Sequence, residues 1–330
     1  MTTQDIAASG TAAGEPIDTV ARGNSRLYGA LFIALIVGLL IAPHLLYPVF
    51  LMKVLCFALF AAALNLLLGY GGLLSFGHAA YFGFASYVSA HAAKVWGLTP
   101  ELAILAGTAT AVVLGLIFGA LAIRRQGIYF AMITLALAQL IYFVSLQSAF
   151  TGGEDGIQGV PRGNLFGVIP LTDDRTLYYV VAAIFLFGFL LIFRIIHSPF
   201  GQVLRAIRDN EPRAISLGYR TTQYKLAVFV LSAGLAGLAG GTKAIVFQLA
   251  SLTDVHWTMS GEVVLMTLVG GMGTIFGPIV GSVIVVSMQN YLASFGAWVP
   301  IIQGIVFVVC VMLFREGIIG VLSRWVKRPL

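Results

Sequence analysis

Apolar runs of roughly 20 residues, each bounded by small clusters of charge, glycine or proline, recur along the chain from residue 27 onward. A helix rises about 1.5 Å per residue, so each run is long enough to cross a hydrocarbon core of about 30 Å. The pattern predicts spans at 27–46, 49–68, 101–123, 127–146, 177–196, 226–248 and 298–314, with a further apolar stretch from 78 to about 95. The fold class is therefore all-α: a polytopic integral membrane protein of about eight to ten segments, read as a single transmembrane domain over 26–330. Residues 1–25 are small, polar and poor in aromatics, and are expected to form a disordered tail.

Two stretches interrupt the apolar pattern with glycine. The first runs Gly69, Tyr70, Gly71, Gly72, Leu73, Leu74, Ser75, Phe76, Gly77, His78, and the second Gly270, Gly271, Met272, Gly273, Thr274, Ile275, Phe276, Gly277, Pro278. Residues 262–292 must begin and end on one side of the bilayer if the C-terminal charges are to reach the other, yet about 30 residues are too few for two full crossings. A hairpin or re-entrant pair broken at the second glycine stretch is expected. Gly71, Phe76 and Gly77 recur 200 residues later as Gly271, Phe276 and Gly277, by an internal repeat or by chance. Broken helices at matching places in two halves point to a translocation path; glycines that serve only close helix packing are the other reading.

Composition agrees with the spans. The 330 residues are 59% hydrophobic and 10% charged, with a mean hydropathy of +0.96, and a soluble domain of this size would lack polar surface to cover its core. The pI near 9.4 reflects basic residues at span ends, which act as orientation signals and not as a nucleic-acid surface. Arg22, Arg26, Arg124, Arg125, Arg194, Arg315, Arg324, Lys327 and Arg328 place both termini in the cytoplasm. The Gly- and Pro-rich loop 151–175, with Glu154, Asp155, Asp173 and Asp174, falls outside. The densest basic stretch, 198–225, carries Arg205, Arg208, Arg213, Arg220 and Lys225. Leu204 and Ile207 share a helical face there, Asp209-Asn210 supplies an N-cap, Pro212 suits a first turn and Gly218 a helix end, which together predict two short amphipathic helices. A partner-binding surface or a loop that only sets orientation would each fit.

No lysine follows a glycine, so a GK[ST] phosphate loop is absent, and no HExxH, paired-Cys metal site or Ser/His/Asp grouping stands out. The chain is expected to be non-catalytic, and any ATP and magnesium that drive it must bind other polypeptides. Cys56 and Cys310 lie inside apolar runs as small hydrophobes. Lys243 falls well inside a span, with an expected snorkel toward the outer exit, and no buried carboxylate is expected at midplane. The path would then be lined by Asn65, Ser75, Thr134, Gln139 and Gln289, with backbone freed at Gly69, Gly71, Gly72, Gly77, Gly270, Gly271, Gly273, Gly277 and Pro278. Such a lining suits a conduit fed from outside better than a tight binding site.

The blocks GYGGLLSFGHAAYFGFASY (69–87), RQGIYFAMITLALAQ (125–139), TGGEDGIQGVPR (151–162), SPFGQVLRAIRDNEPRAISLGYRTTQYKLAVFVLSAGLAGLAGG (198–241) and LVGGMGTIFGPIVGS (268–282) resemble, in order, those of permeases of high-affinity branched-chain amino acid ABC importers, specifically the M-type subunit. The resemblance covers nearly all of 31–315. It implies an inner-membrane subunit moving branched-chain amino acids, or urea, amides or aromatic acids, into the cytoplasm. The implied partners are a second related permease, two cytoplasmic ATPases and a periplasmic substrate-binding protein. It also implies that 198–225 is the loop that docks on the ATPases, through Arg205, Ala206, Arg208, Asn210, Glu211, Ala214 and Gly218; Ala214 and Gly218 match the family's A-x-x-x-G core, while Pro212-Arg213 replaces its usual small residues. Gly152, Gly153, Asp155 and Gly156 become candidates for docking the binding protein. A self-sufficient secondary transporter or channel is the reading from another class.

Overall fold

A computed structural model describes residues 17–313 and 317–326. The chain forms α1 (Ile17–Leu45), α2 (Pro48–Asn65), which continues into a π-helical turn (Leu66–Tyr70), α3 (His78–Lys94), α4 (Pro100–Ala122) and α5 (Ile128–Gln147). After a loop with short strands β1 (Ile157–Gln158), β2 (Asn164–Leu165) and β3 (Ile169–Pro170) come α6 (Asp174–Ile196), α7 (Pro199–Asp209), α8 (Glu211–Ser216) and α9 (Thr221–Phe247). Then follow β4 (Leu249–Ala250), α10 (Leu252–Val255), α11 (Trp257–Gly270), α12 (Gly277–Tyr291), α13 (Val299–Leu313) and α14 (Gly317–Val326).

Helix starts follow local chemistry. Proline opens α2, α4, α7, α8 and α12, where its missing N–H costs nothing. Asp173, Ser198 and Asn210 accept the orphan N–H groups that open α6, α7 and α8. The spans therefore begin close to where the apolar pattern places them. One boundary moves: α1 starts at Ile17, so residues 17–25 join the first helix and only 1–16 remain of the expected tail, outside the described residues with Arg315, Lys327 and Arg328.

Among the described residues five helices are long and apolar enough to cross a membrane unaided: α2 with its π turn, α4, α5, α6 and α9. The expected hairpin at 262–292 is present as α11 and α12, of 14 and 15 residues. At about 1.5 Å per residue each is roughly 22 Å long, short of the bilayer core. α2 and α9 form the centre of the bundle and are the most enclosed spans. α9 packs on α4, α3 and α2, and α2 in turn on α12 and α6.

Glycine permits this proximity. A Cβ at Gly237 would meet the Ala111 side chain on α4, one at Gly241 would meet Ser89 of α3, and one at Gly240 would fall on the Phe82 carbonyl oxygen. Gly240→Ala is expected to cost about 1–3 kcal/mol through overpacking against backbone that cannot yield. Gly261→Ala, whose Cβ would meet nothing within 4 Å, is expected to stay within about 0.5 kcal/mol of the wild type. Thermal unfolding of the detergent-solubilised chain separates the two, and equal losses would refute the packing argument.

Candidate functional site: two interrupted helices and the loop that grips them

The two glycine stretches, about 200 residues apart in sequence, meet in space. Asn65, buried at the end of α2, joins them. Its Oδ1 accepts from Gly273 N at 2.9 Å and its Nδ2 donates to Thr274 O at 2.8 Å. These backbone groups lie in the irregular segment between α11 and α12, where no helix ladder can satisfy them. One turn beyond Asn65, Gly69 touches the same segment: an added Cβ would stand 2.6 Å from Gly273 N and 2.8 Å from its Cα. Positive φ angles at Gly72, Gly271 and Gly273, of 68°, 125° and 77°, turn the chain at both breaks, a conformation that glycine adopts freely.

Each break ends in a helix whose first N–H groups are already filled. Phe76 N and Gly77 N donate to Thr134 Oγ1 and Ser75 Oγ, and Ala79 N donates to Ser260 Oγ, at the start of α3. Gly277 N donates to Thr274 Oγ1 at the start of α12. Asn65, Ser75 and Thr134, expected to line an open path, are thus buried and hold the breaks in shape. Gly77, Gly270, Gly271, Gly277 and Pro278 are buried beside them. Gly71 lies against the Leu67 carbonyl. Gln139 stays on α5, in none of these bonds, and Gln289 donates to Glu262 Oε2 at 2.9 Å, far along α12 from the break. Beside the first break, Gly72, Leu74 and Phe76 face Ile128, Ala131 and Met132 of α5 across an apolar cavity of about 490 Å³.

The loop 198–225 grips the first break from one side. Arg208 Nη1 donates to Gly69 O, and its stem crosses Gly72, where a Cβ would stand 2.7 Å from Arg208 Cγ. The Arg205 guanidinium lies 5.2 Å from the centre of the Tyr70 ring. Glu211 accepts from Lys225 Nζ at 2.6 Å and from Gln126 Nε2 at 2.8 Å, which ties α8 to α9 and to the α4–α5 turn. Three of the loop's five cations therefore point into the protein, because break and helix ends supply carbonyls, an aromatic face and a carboxylate there. Arg213 and Arg220 remain exposed, with Ile215, Leu217 and Tyr219 at 56%, 69% and 41% exposure. Ala214 is buried under α8, Ala206 is exposed, and Gly218 takes φ 87° just past the helix. The two short helices are formed as the punctuation predicts, with Asn210 Oδ1 accepting from Arg213 N at 3.1 Å.

Across the bundle, Lys243 does not snorkel. Its Nζ lies 2.5 Å from Asp254 Oδ2, and both side chains are buried. Asp254 is drawn inward by α10, which packs on α3; Ser251 N and Oγ also donate to its carboxylate. This buried carboxylate sits on the short helix that follows α9 and not within a span. In sequence Asp254 lies 11 residues from Lys243, and an intervening helix end and turn hide the pairing. His78, at the head of α3, is fully buried with Nε2 at 2.8 Å from Ser232 Oγ; Ser232 gives its proton to Ala63 O, so Nε2–H is the donor. On the loop 151–175, Gly152, Gly153 and Gly156 take φ of 79°, 62° and 68°, and Gly156 lies against Ala250 O beside the β1–β4 pairing. Of the four candidates there, Asp155 alone offers an exposed side chain. Among the described residues no group of three or more His, Cys, Asp or Glu could hold a metal ion.

An apolar helical bundle in which two interrupted helices meet, the first of them held by a polar loop, defines a multi-pass membrane protein organised around a pair of breaks. The family described as branched-chain amino acid transport system / permease component matches residues 47–314, and the chain belongs to it. The chain is 26% identical over 280 residues to the high-affinity branched-chain amino acid transport system permease protein LivM of Salmonella typhimurium, which covers 78% of this chain and 66% of that one. It is 24% identical over 284 residues to the LivM of Escherichia coli, with the same coverage. The chain thus spans just under two-thirds of the length of these relatives. It is also 29% identical over 197 residues to the ribose import permease protein RbsC of Bacillus subtilis, covering 54% of this chain and 58% of that one. No solved structure matches.

Proposed function

We propose that this chain is a membrane subunit of an ATP-driven importer, taking branched-chain amino acids inward by alternating access while partner ATPases hydrolyse the nucleotide. One observation carries the reading: the loop 198–225 presents Ile215, Leu217 and Tyr219 to solvent between Arg213 and Arg220, while Arg205 and Arg208 fasten it to an interrupted helix. Exposed apolar side chains with a charged rim mark a partner surface. A loop rigidly attached to the break can convey a partner's rotation, and a loose one could not. The ATPases would bias the equilibrium through their differential affinity for the two states.

In this reading the α7–α8 side and both termini face the cytoplasm of a bacterial inner membrane. A second, related permease completes the path, and a periplasmic binding protein docks on the opposite side near Asp155. The Lys243–Asp254 pair, whose carboxylate also accepts from Ser251 N and Oγ, has the bonding of a structural ion pair and not of a proton carrier. The choice of cargo is supported by the relatives named for branched-chain amino acids, and the apolar, half-open groove beside the first break offers a sugar few hydrogen-bond partners.

Liposomes carrying the chain alone, then with its partner subunits, binding protein and ATP, test the reading. Leucine uptake is expected only in the complete, ATP-supplied system. Uptake by the chain alone under an ion gradient would establish the rival, a self-sufficient transporter.

A further inference from the structure

We propose that Asn65 is the positioning residue that makes the two breaks one moving element, so that a displacement of the α7–α8 loop reaches the second break through its side chain. The inference rests on the importer reading above and names the residue on which coupling turns.

Among the described residues the loop's side chains bond the first break, and none bonds the second. Arg208 bonds Gly69 O and covers Gly72, Arg205 covers Tyr70, and α7 packs on α6, α8, α9 and the π-helical turn. Although Arg208 Nη1 comes to 3.9 Å from where a Gly273 Cβ would stand, its hydrogen bonds go to Gly69 and Asp209. From the first break to the second, the bonded route is the Asn65 amide, which fills one acceptor and one donor of the segment between α11 and α12. Asn65 is 3% exposed, four residues before Gly69 and on the same helical face, so the residue the loop pulls and the residue that clamps the second break move with one turn of helix. At Gly69 and Gly273, neither of which has a side chain, the backbones approach closely, with the Asn65 amide oxygen beside both. A buried amide that satisfies two backbone groups fixes direction as well as distance, which apolar contact alone does not.

The test uses the complete complex in liposomes. Asn65→Leu keeps the branching at Cγ and removes both bonds. Thr267→Val serves as the packing control, because it removes the bond from Thr267 Oγ1 to Ala61 O in the same α2–α11 contact without touching either break. Leu74→Cys and Met272→Cys, 37% and 51% exposed in the first and second breaks, report each break by thiol labelling with and without ATP. Expected for Asn65→Leu are ATP hydrolysis within about twofold of the wild type, at least a tenfold fall in uptake, a retained ATP-dependent change at Leu74→Cys and a lost one at Met272→Cys. Thr267→Val is expected to keep uptake and both changes.

The proposal is overturned if Asn65→Leu transports within twofold of the wild type, if Met272→Cys still responds, or if Thr267→Val reproduces the defect. Should Asn65→Leu fail to insert, Asn65→Asp replaces it: it still accepts from Gly273 N but turns an oxygen toward Thr274 O, and the same thresholds apply. A wild-type complex without ATP-dependent uptake would sink the importer reading; a working wild type with a fully coupled Asn65→Leu variant would sink this inference alone.

Discussion

Arg208→Glu is expected to lower uptake by the assembled complex roughly 10- to 100-fold while membrane insertion stays normal. The guanidinium donates to the Gly69 carbonyl and covers Gly72, so the substitution removes a charge-assisted bond worth about 1.5–3 kcal/mol and sets a carboxylate against a carbonyl oxygen. Each 1.4 kcal/mol taken from the coupling step is about tenfold in rate. Insertion is spared because Arg208 is 37% exposed at its side chain and belongs to a loop, not to a span. Gly218→Pro is expected to act with it by another route. Gly218 has φ 87° and its N–H donates to Ile215 O at 2.9 Å, whereas proline fixes φ near −65° and has no N–H. The end of α8 and its exposed Ile215 and Leu217 would be redirected. Radiolabelled uptake with immunodetection of the inserted chain checks both, and normal uptake by the pair would remove this loop from coupling.

Lys243→Ala and Asp254→Ala are each expected to destabilise the folded chain by about 3–5 kcal/mol, since either leaves the other charge buried without its partner. The double replacement Lys243→Met with Asp254→Leu is expected to recover most of that loss. Charge is costly to bury and methyl groups are not, so the single variants should be far worse than the double. Part of the deficit remains in the double variant, because Ser251 N and Oγ lose the carboxylate that receives them and α10 loses its cap. Unfolding in mixed micelles gives the cycle directly; additive losses would show that the two residues act independently despite their 2.5 Å separation.

How much of this was legible in the sequence depends on the range of the forces involved. The short helices of the loop were legible because their signals are local: Asn210, Pro212 and Gly218 act within three or four residues of themselves. The α11–α12 hairpin was legible by length, since residues 262–292 cannot cross twice. The helix starting at Ile17 was missed because its first turns are polar and carry none of the apolar pattern that marked the rest. The inward turn of Arg205, Arg208 and Lys225 was missed for a different reason. A cation's destination depends on which carbonyl, ring or carboxylate the fold brings near it, and Gly69, Tyr70 and Glu211 are placed there by tertiary packing. Glu211 could have been paired with Lys225 from sequence only by knowing that α8 folds back on α9.

The amino-acid sequence by itself determined that this is an all-helical membrane protein, where its spans and turns fall, and that two of its helices are broken by glycine, because apolar length, capping and backbone freedom are properties of neighbouring residues. Tertiary structure alone decided that the breaks meet, that Asn65 fastens one to the other, that Lys243 finds Asp254, and that the basic loop holds the first break as well as facing outward. These are pairings across up to 209 residues, set by which surfaces close on one another when water and lipid are excluded.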